Sequence, residues 1–390
     1  FTLLQLAVQS CTLSMTTRSL NDEGGPPKKQ CKLDGGLSSA GLDWSKLTFD
    51  VTETAGRAEM KWKDGTWGEL TFETDPYVRL HAFANVLHYG QEVFEGLKAF
   101  SCTDGSVRVF NDRANYERLT NGSRRMMIPE MDYDAWKAAI DLALQKNRAY
   151  IPPPEACSTG ASLYVRPVVY GSGPQVALHP SREYTFMVLV VPVGPYFKAG
   201  FNPIPGQIIS GYDRAAPQGV GGVKCAGNYA ADTRPSQEHK KKGFPIGLYL
   251  DPKEKKYVEE FNGANLVAIT HDGKYVTPES NSILPSCTNQ CLMQLARDRG
   301  MVVEQRPLAF RDEVGHWSEV GAVGTAAVVC PIESLTCGEE IWKFSRDAKV
   351  LHELFQTLTR IQRGEEKDAH GWIRVVPMDD AVALETRAGG

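Results

Sequence analysis

The sequence predicts a two-domain protein mixing α/β and α+β structure, and three observations carry that expectation. The chain is 390 residues long, beyond the size at which a single hydrophobic core keeps growing. Its hydrophobic content of 42% is that of a globular protein with a full interior. Short strand-like runs turned by Asp64-Gly65, Asp104-Gly105 and Asp272-Gly273 read as hairpins, and they share the chain with stretches of helical periodicity. The expected division is a loose tail over 1–40, a smaller domain over 41–196, a crossover over 197–206 and a larger domain over 207–390.

Charge and cysteine usage narrow the classes. Net charge is −4, and the lysine clusters at 240–242 and at 253, 255 and 256 read as solvated surface, so no nucleic-acid footprint is expected. Nine cysteines stand at 11, 31, 102, 157, 225, 287, 291, 330 and 337 with no C-x-x-C. The odd count and irregular spacing argue against a disulfide framework and for a reducing compartment. Cys287 and Cys291 lack a histidine at ligand spacing, so no metal site is expected. The longest apolar run, Phe186 to Val193, is far too short to span a bilayer and fits a buried strand. Residues 1–14 are mildly apolar and Met15 is a candidate initiator; Arg18 is the only basic residue in the first 27, which argues against a transit peptide. The expected location is intracellular, in the cytoplasm, with the mitochondrion as the alternative.

Taken in order, residues 41–80 read as short strands and turns. Leu87 to Phe100 is rich in aromatics, and His88, Tyr89 and Phe94 fit either a packed core or a pocket wall. A strand over Ser106–Phe110 precedes a helix from Asp112 to about Met126. Arg118 lies in that helix; a surface arginine and a phosphate ligand are both open to it, since a guanidinium forks onto phosphate oxygens. A second helix, Tyr133 to Lys146, places Trp136, Ala139, Ile140, Ala143 and Leu144 on one face. In the strand from Ser162, Tyr164 and Arg166 share a side, which suits either a small carboxylate or a cross-strand pair. Further strands fall at 185–193, 245–250, 257–260 and 264–269. Alternation sets Glu259 and Glu260 on opposite faces, and an inward carboxylate needs a partner, a cationic ring or an arginine. A helix opens at Ser286-Cys287-Thr288 and runs to Arg299, with Thr288 as N-cap or anion site. Gly321 to Val329 reads as a small-residue turn into a strand, and the last helix spans about Ala348 to Arg363.

The stretch Gly219-Val220-Gly221-Gly222-Val223-Lys224-Cys225-Ala226-Gly227-Asn228-Tyr229 is the chemical centre of the sequence. Glycines there allow left-handed turns and close backbone approach. A lysine confined in such a place loses solvation and its pKa falls. The neutral amine can then attack a carbonyl, and Tyr229 can hydrogen-bond an oxygen beside the product. The spacing is not that of a P-loop, and a loop lysine is the plain alternative.

Together these residues resemble the branched-chain-amino-acid aminotransferases, class IV of the pyridoxal-phosphate transaminases. The likeness runs from about 42 to 376 through H-Y-G-Q-E-V-F-E-G-L-K-A-F (88–100), L-Y-V-R-P (163–167), G-G-V-K-C-A-G-N-Y-A (221–230), Y-V-E-E (257–260), S-I-L-P-S-C-T (282–288) and G-T-A-A-V-V-C-P (324–331). It implies fold type IV, with a smaller N-terminal α/β domain and a larger pseudo-barrel domain. It implies pyridoxal 5'-phosphate, with Lys224 as Schiff-base lysine, Tyr229 on the ring oxygen and Glu260 on the ring nitrogen. Arg118, Cys287, Thr288 and Thr325 would hold the phosphate. Tyr89, Phe94, Tyr164, Arg166, Tyr196 and Ala326 would surround the substrate, part of that wall coming from a second subunit of a homodimer. The implied reaction moves the amino group of leucine, isoleucine or valine to 2-oxoglutarate. A transaminase of the same fold for an unusual aliphatic or D-amino acid is the alternative, and a non-catalytic cofactor-binding module is the alternative of another class.

Three positions depart from the family pattern. Phe261-Asn262-Gly263 follows Glu260 in place of small residues, which is expected to alter a loop beside the substrate. Ser286 replaces a glycine. Ala327 stands where animal members carry the first cysteine of a redox pair, so no thiol switch is expected at Cys330.

Overall fold

The computed structural model describes residues 35–196 and 201–378; the predicted tail up to residue 34 and the start of the crossover, 197–200, lie outside them. The described residues belong to one compact unit built on two nine-stranded sheets.

The first half of the chain runs β1 (Arg57–Lys63), β2 (Thr66–Trp67), β3 (Thr71–Glu73), α1 (Asn85–Tyr89), β4 (Glu92–Phe94), β5 (Leu97–Ser101), β6 (Val107–Phe110), α2 (Asp112–Arg125), α3 (Tyr133–Lys146), α4 (Pro154–Ser158), β7 (Ser162–Gly171) and β8 (Glu183–Val193). The second half runs β9 (Ile204–Ile209), α5 (Ala226–Lys241), β10 (Ile246–Leu250), β11 (Val258–Phe261), β12 (Ala264–Thr270), β13 (Tyr275–Pro278), α6 (Cys287–Asp298), β14 (Val303–Arg306), α7 (Phe310–Glu313), β15 (Trp317–Gly324), β16 (Val328–Cys337), β17 (Glu340–Lys343), α8 (Lys349–Gln362) and β18 (Ile373–Val376).

The first sheet has the order β18-β6-β5-β7-β8-β1-β2, with β3 on β1 and β4 on β7. Its first hairpin pairs Lys63 with Thr66, and Asp64 and Gly65 take φ of 52° and 91°. Two left-handed residues make the turn whose twist matches the strands. In the second sheet β9, β10, β11, β12, β15 and β16 are joined in a ring, because β11 pairs β12 as well as β10. This is the six-stranded pseudo-barrel of fold type IV. Alternation along β12 divides its side chains between two cores. Leu266 and Ala268 join the apolar cluster to which all six ring strands contribute. Val267 and Ile269 face Leu292, Leu295 and Ala296 of α6 and Leu351, Leu354 and Leu358 of α8. Buried Glu319 of β15 accepts from the Val350 and Leu351 amides at 3.0 and 2.9 Å, capping α8 from outside its own sequence.

Three features differ from or add to the sequence expectation. Residues 204–206 belong to β9 rather than to the crossover, because β9 pairs in parallel with both β10 and β16. The C-terminal strand β18, inside the predicted larger domain, completes the first sheet by pairing with β6. Arg374 fixes it there, reaching Asp112 at 2.6 Å and Asp141 at 2.7 Å. Helix α5 occupies a stretch in which the sequence predicts no helix. Pro235 sits inside it, removing one backbone donor, and its apolar stripe is weak. Lys240 and Lys241 form its last turn, where positive charge meets the negative end of the helix dipole.

Removing Arg374 leaves the buried Asp112 carboxylate without its cation. Arg374→Ala is expected to lower stability by about 3 kcal/mol, read as a fall in the urea midpoint; a midpoint equal to wild type contradicts this role.

Candidate active site

Lys224 sits in the turn immediately before α5. The Phe94 amide donates to the Lys224 carbonyl at 3.0 Å, and the Asn228 side chain donates to the Val220 and Val223 carbonyls at 2.8 Å each. None of the glycines 219, 221, 222 and 227 has positive φ, so the expected left-handed turns are absent. The need is for space: a Cβ on Gly221 would strike the Ser282 carbonyl.

The Lys224 ammonium donates to the Tyr229 hydroxyl at 2.8 Å. It lies 4.9 Å from the centre of the Phe94 ring and 5.1 Å from that of Tyr229. Burial, followed by the positive field of Arg118, pushes its pKa down to about 8, against the opposing pull of Glu95 and Glu260. Burial likewise raises the Tyr229 phenol.

Opposite Lys224, β11 buries two carboxylates. Glu259 and Glu260 are 1% and 4% exposed, although alternation puts them on different faces, because both faces of the strand are covered. Glu260 accepts from the Leu284 amide at 3.0 Å and from Asn265 at 3.2 Å. Arg214 reaches Glu260 at 3.0 Å and Glu259 at 3.9 Å, and the Ser282 hydroxyl donates to Glu259. Two carboxylates share one guanidinium, so one of them is left either to hold a proton or to meet a cation. Burial raises the Glu260 pKa to about 7.

Arg118 and the start of α6 lie on another side. Arg118 is not a free fork: its Nε and Nη2 meet both oxygens of the fully buried Glu95 at 2.7 and 2.8 Å. Its Nη1 donates to the Pro285 carbonyl at 2.8 Å, directly before α6. The N-cap of α6 is Ser286, whose hydroxyl accepts from the Asn289 amide at 3.1 Å; Thr288, an expected cap, is the second residue of the helix. Helix geometry leaves the first amides, at Cys287 and Thr288, without intrahelical acceptors. Cys287, Thr288 and Thr325 line one cleft with Lys98, Asn111 and Asn115.

Thr325 belongs to the three-residue turn between β15 and β16; Gly321–Gly324, expected in that turn, is strand. Val328 closes the turn at φ 62°. A β-branched residue in the left-handed region is a genuine outlier, costing on the order of 1–3 kcal/mol.

Phe94, Tyr164 and Arg166 are gathered beside Lys224. The Phe94 ring centre is 5.0 Å from that of Tyr229 and 4.8 Å from the Arg166 guanidinium. Arg166 donates to the Tyr164 hydroxyl at 3.2 Å, while its Nε is buried with no acceptor. Tyr164 packs against Gly96, where a Cβ would collide with its ring. Tyr196 joins through Phe49, whose ring centre lies 5.2 Å from Tyr196 and 5.4 Å from Tyr164. The Ala326 carbonyl accepts from Lys98 at 2.8 Å. Tyr89 is not brought into this group: it is exposed on α1 and donates to the Val176 carbonyl.

After Glu260, the residues that depart from the family pattern are packed into the barrel. Phe261 is fully buried in the barrel cluster, and the Asn262 side chain binds the Gly247 amide at 2.7 Å and Ser236 at 3.1 Å. Cys330 is buried, and its thiol is raised to about 12 by burial. Among the described residues no helix is long and apolar enough to cross a membrane, and no group of His, Cys, Asp and Glu could hold a metal ion.

An amine with a lowered pKa near a buried acid pair, on a type IV pseudo-barrel, is suited to amine–carbonyl chemistry. The family model for amino-transferase class IV matches residues 92–335. A branched-chain-amino-acid aminotransferase of Haemophilus influenzae is 38% identical over 341 residues, covering 85% of this chain and 98% of its own. The transaminase htyB of Aspergillus rugulosus is 34% identical over 357 residues, covering 86% and 93%. The crystal structure of the Escherichia coli branched-chain amino acid aminotransferase superposes with a TM-score of 0.68 at 26% identity, covering 82% of this chain and all of that one. The chain therefore belongs to the class IV aminotransferases, which use pyridoxal 5'-phosphate and act on amino acids and 2-oxo acids.

Because its surroundings disfavour the ammonium, Lys224 becomes a neutral amine at lower pH than an ordinary lysine. Trapping of Lys224 by an aldehyde and borohydride in cofactor-free protein is expected to have its midpoint near pH 8, with surface lysines above pH 10. Peptide mass spectrometry distinguishes them, and a Lys224 midpoint with the surface lysines contradicts the shift.

Proposed function

We propose that the protein is a branched-chain amino acid transaminase that passes the amino group of leucine, isoleucine or valine to 2-oxoglutarate in a ping-pong cycle. The observation that carries this reading is the place of Arg166. It is a guanidinium with an unsatisfied buried Nε, set among Phe94 and Tyr164 beside Lys224. Such a group suits a carboxylate, and the aromatic wall around it suits an aliphatic side chain.

The residues fit the cofactor. Glu260 would accept from its ring nitrogen, where the surplus negative charge of the acid pair favours a cation. Tyr229 would donate to the ring oxygen and Lys224 would bond the aldehyde carbon. The amides of Cys287 and Thr288, the Thr325 hydroxyl and the positive field of Arg118 would hold the phosphate. Pyridoxal phosphate, when bound, supplies an electron sink for the pair left as the substrate Cα–H bond breaks. Lys224, freed when the incoming amine takes its place and with its pKa lowered to about 8, would take the proton from Cα and deliver it to the carbon that carried the aldehyde. Tyr164 and Arg166 orient the carboxylate, and Phe94 and Phe49 exclude water from the apolar side.

The functional unit in this reading is a homodimer. Tyr77, Phe83, Leu87, Tyr89, Val176 and Leu178 are all large and exposed. The segments carrying them interlock through the Gln175 amide on the Phe83 carbonyl at 3.0 Å. An exposed apolar patch of this kind marks a protein contact, and across it Tyr89 would reach a partner's cleft. A second substrate reading, an unusual aliphatic or D-amino acid, is favoured by the relative known simply as a transaminase at nearly the same identity.

An amine-donor profile of the reconstituted protein tests the substrate. Leucine, isoleucine and valine are expected within about a hundredfold of one another in kcat/KM, since one methylene is worth about 1–3 kcal/mol. Failure of all three beside turnover of another donor overturns the assignment. Light scattering is expected to give twice the chain mass, and Leu178→Asp to give monomers with reduced turnover; a monomeric, fully active wild type contradicts the dimer.

A further inference from the structure

We propose that Lys98 is a positioning residue for the turn Thr325–Ala327, its buried ammonium reaching across from the first sheet to fix the Ala326 carbonyl and with it the set of the turn's amides. This rests on the reading of the cleft as a transaminase site.

Lys98 lies on β5 opposite Tyr164 of β7, so it points to the same side as Tyr164 and Arg166. It is 6% exposed, and its Nζ donates to the Ala326 carbonyl at 2.8 Å. No carboxylate stands within ion-pair distance of it among the described residues, which is unusual for a buried cation. Burial pushes its pKa down to about 8. For stability alone, replacing a buried charge by an apolar side chain of the same length is often neutral or stabilising. The ammonium is therefore spent on something other than packing.

The structure at the other end of the bond supplies the reason. The turn ends at Val328, held left-handed where a glycine is usual. A strained conformation persists only when the surroundings over-determine it. Val328 is itself 4% exposed, which anchors one end of the turn, and Lys98 anchors its middle. Peptide planarity then carries the constraint forward: fixing the Ala326 carbonyl fixes the opposed Ala327 N–H in the same plane. Thr325 shares the cleft of Lys98, Cys287 and Thr288. A rotation of the turn would therefore displace a cofactor or substrate contact without touching Lys224 or Glu260.

The test compares Lys98→Met, Lys98→Gln and Lys98→Arg with wild type. In cofactor-free protein, Lys98→Met is expected to melt at or above the wild-type temperature. As holoenzyme it is expected to keep the visible band of bound cofactor but to lose about ten- to a hundredfold in kcat/KM, the scale of a sub-ångström to ångström misplacement. Lys98→Arg is expected to recover most of that loss, because it restores a donor to the carbonyl. Wild-type kcat and KM in both Lys98→Met and Lys98→Gln would overturn the proposal. So would failure of both to fold, which would make Lys98 a purely structural residue. An inactive wild type that binds no cofactor overturns instead the assignment of the cleft.

Discussion

Charge held away from water sets the character of the cleft. Arg118 and Glu95 neutralise each other with a bidentate bond. Arg214 is shared between the two carboxylates on β11, at 3.0 Å from Glu260 and 3.9 Å from Glu259, and can balance only one of them. Between these pairs stands Lys224, close enough to both to be sensed by Glu95 and Glu260. Near the same lysine, Arg166 forms no ion pair among the described residues, although the Glu92 carboxyl lies within its field. In a medium less polar than water such imbalances are strong. They set a carboxylate-rich corner at Glu259 and Glu260 and the guanidinium of Arg166 around an amine whose pKa is lowered to about 8.

The scaffold explains why those groups stay where they are. Glu95 and Arg166 come from the first sheet, Glu259 and Glu260 from the barrel, and Lys224 from the turn that leads into α5. Three bonds tie this set to distant chain: Phe94 to Lys224, Arg118 to Pro285 and Glu260 to Leu284. The local compromises fall in the same place. Gly221 gives up a side chain so that the lysine turn can lie against Ser282, and Val328 accepts a left-handed backbone. Natural sequences break local rules most often where a site requires it.

Most of the regular structure was legible in the sequence because its signals are local. The helices α2, α3, α6 and α8 fall within a residue or two of expectation, and the Asp-Gly turns occur at hairpins. Helix α5 was hidden by Pro235 and by a face that packs through polar contacts, such as Ser236 with Asn262. The motifs marked Lys224, Tyr229 and Glu260; in the structure Lys224 bonds Tyr229 and lies within the electrostatic reach of Glu260. What the motifs left silent was pairing. Glu95 is the true partner of Arg118, Arg214 serves both glutamates, and Asn265 supports Glu260. These contacts span up to 46 residues, from Arg214 to Glu260, and no periodicity signals them. Ser286 as the cap of α6 could have been read from its residue type alone. Tyr89 could not have been placed from one chain, since its surroundings here are α1 and Val176.

The negative surplus at Glu259 and Glu260 is tested most directly by nitrogen-15 NMR of holoenzyme carrying ring-labelled cofactor. A ring nitrogen that stays protonated in wild type between about pH 6 and 8, above the range of the free carboxylate, and loses that proton in Glu260→Gln, is the expected result. A neutral ring nitrogen in the wild-type protein at the acidic end of that range would contradict it.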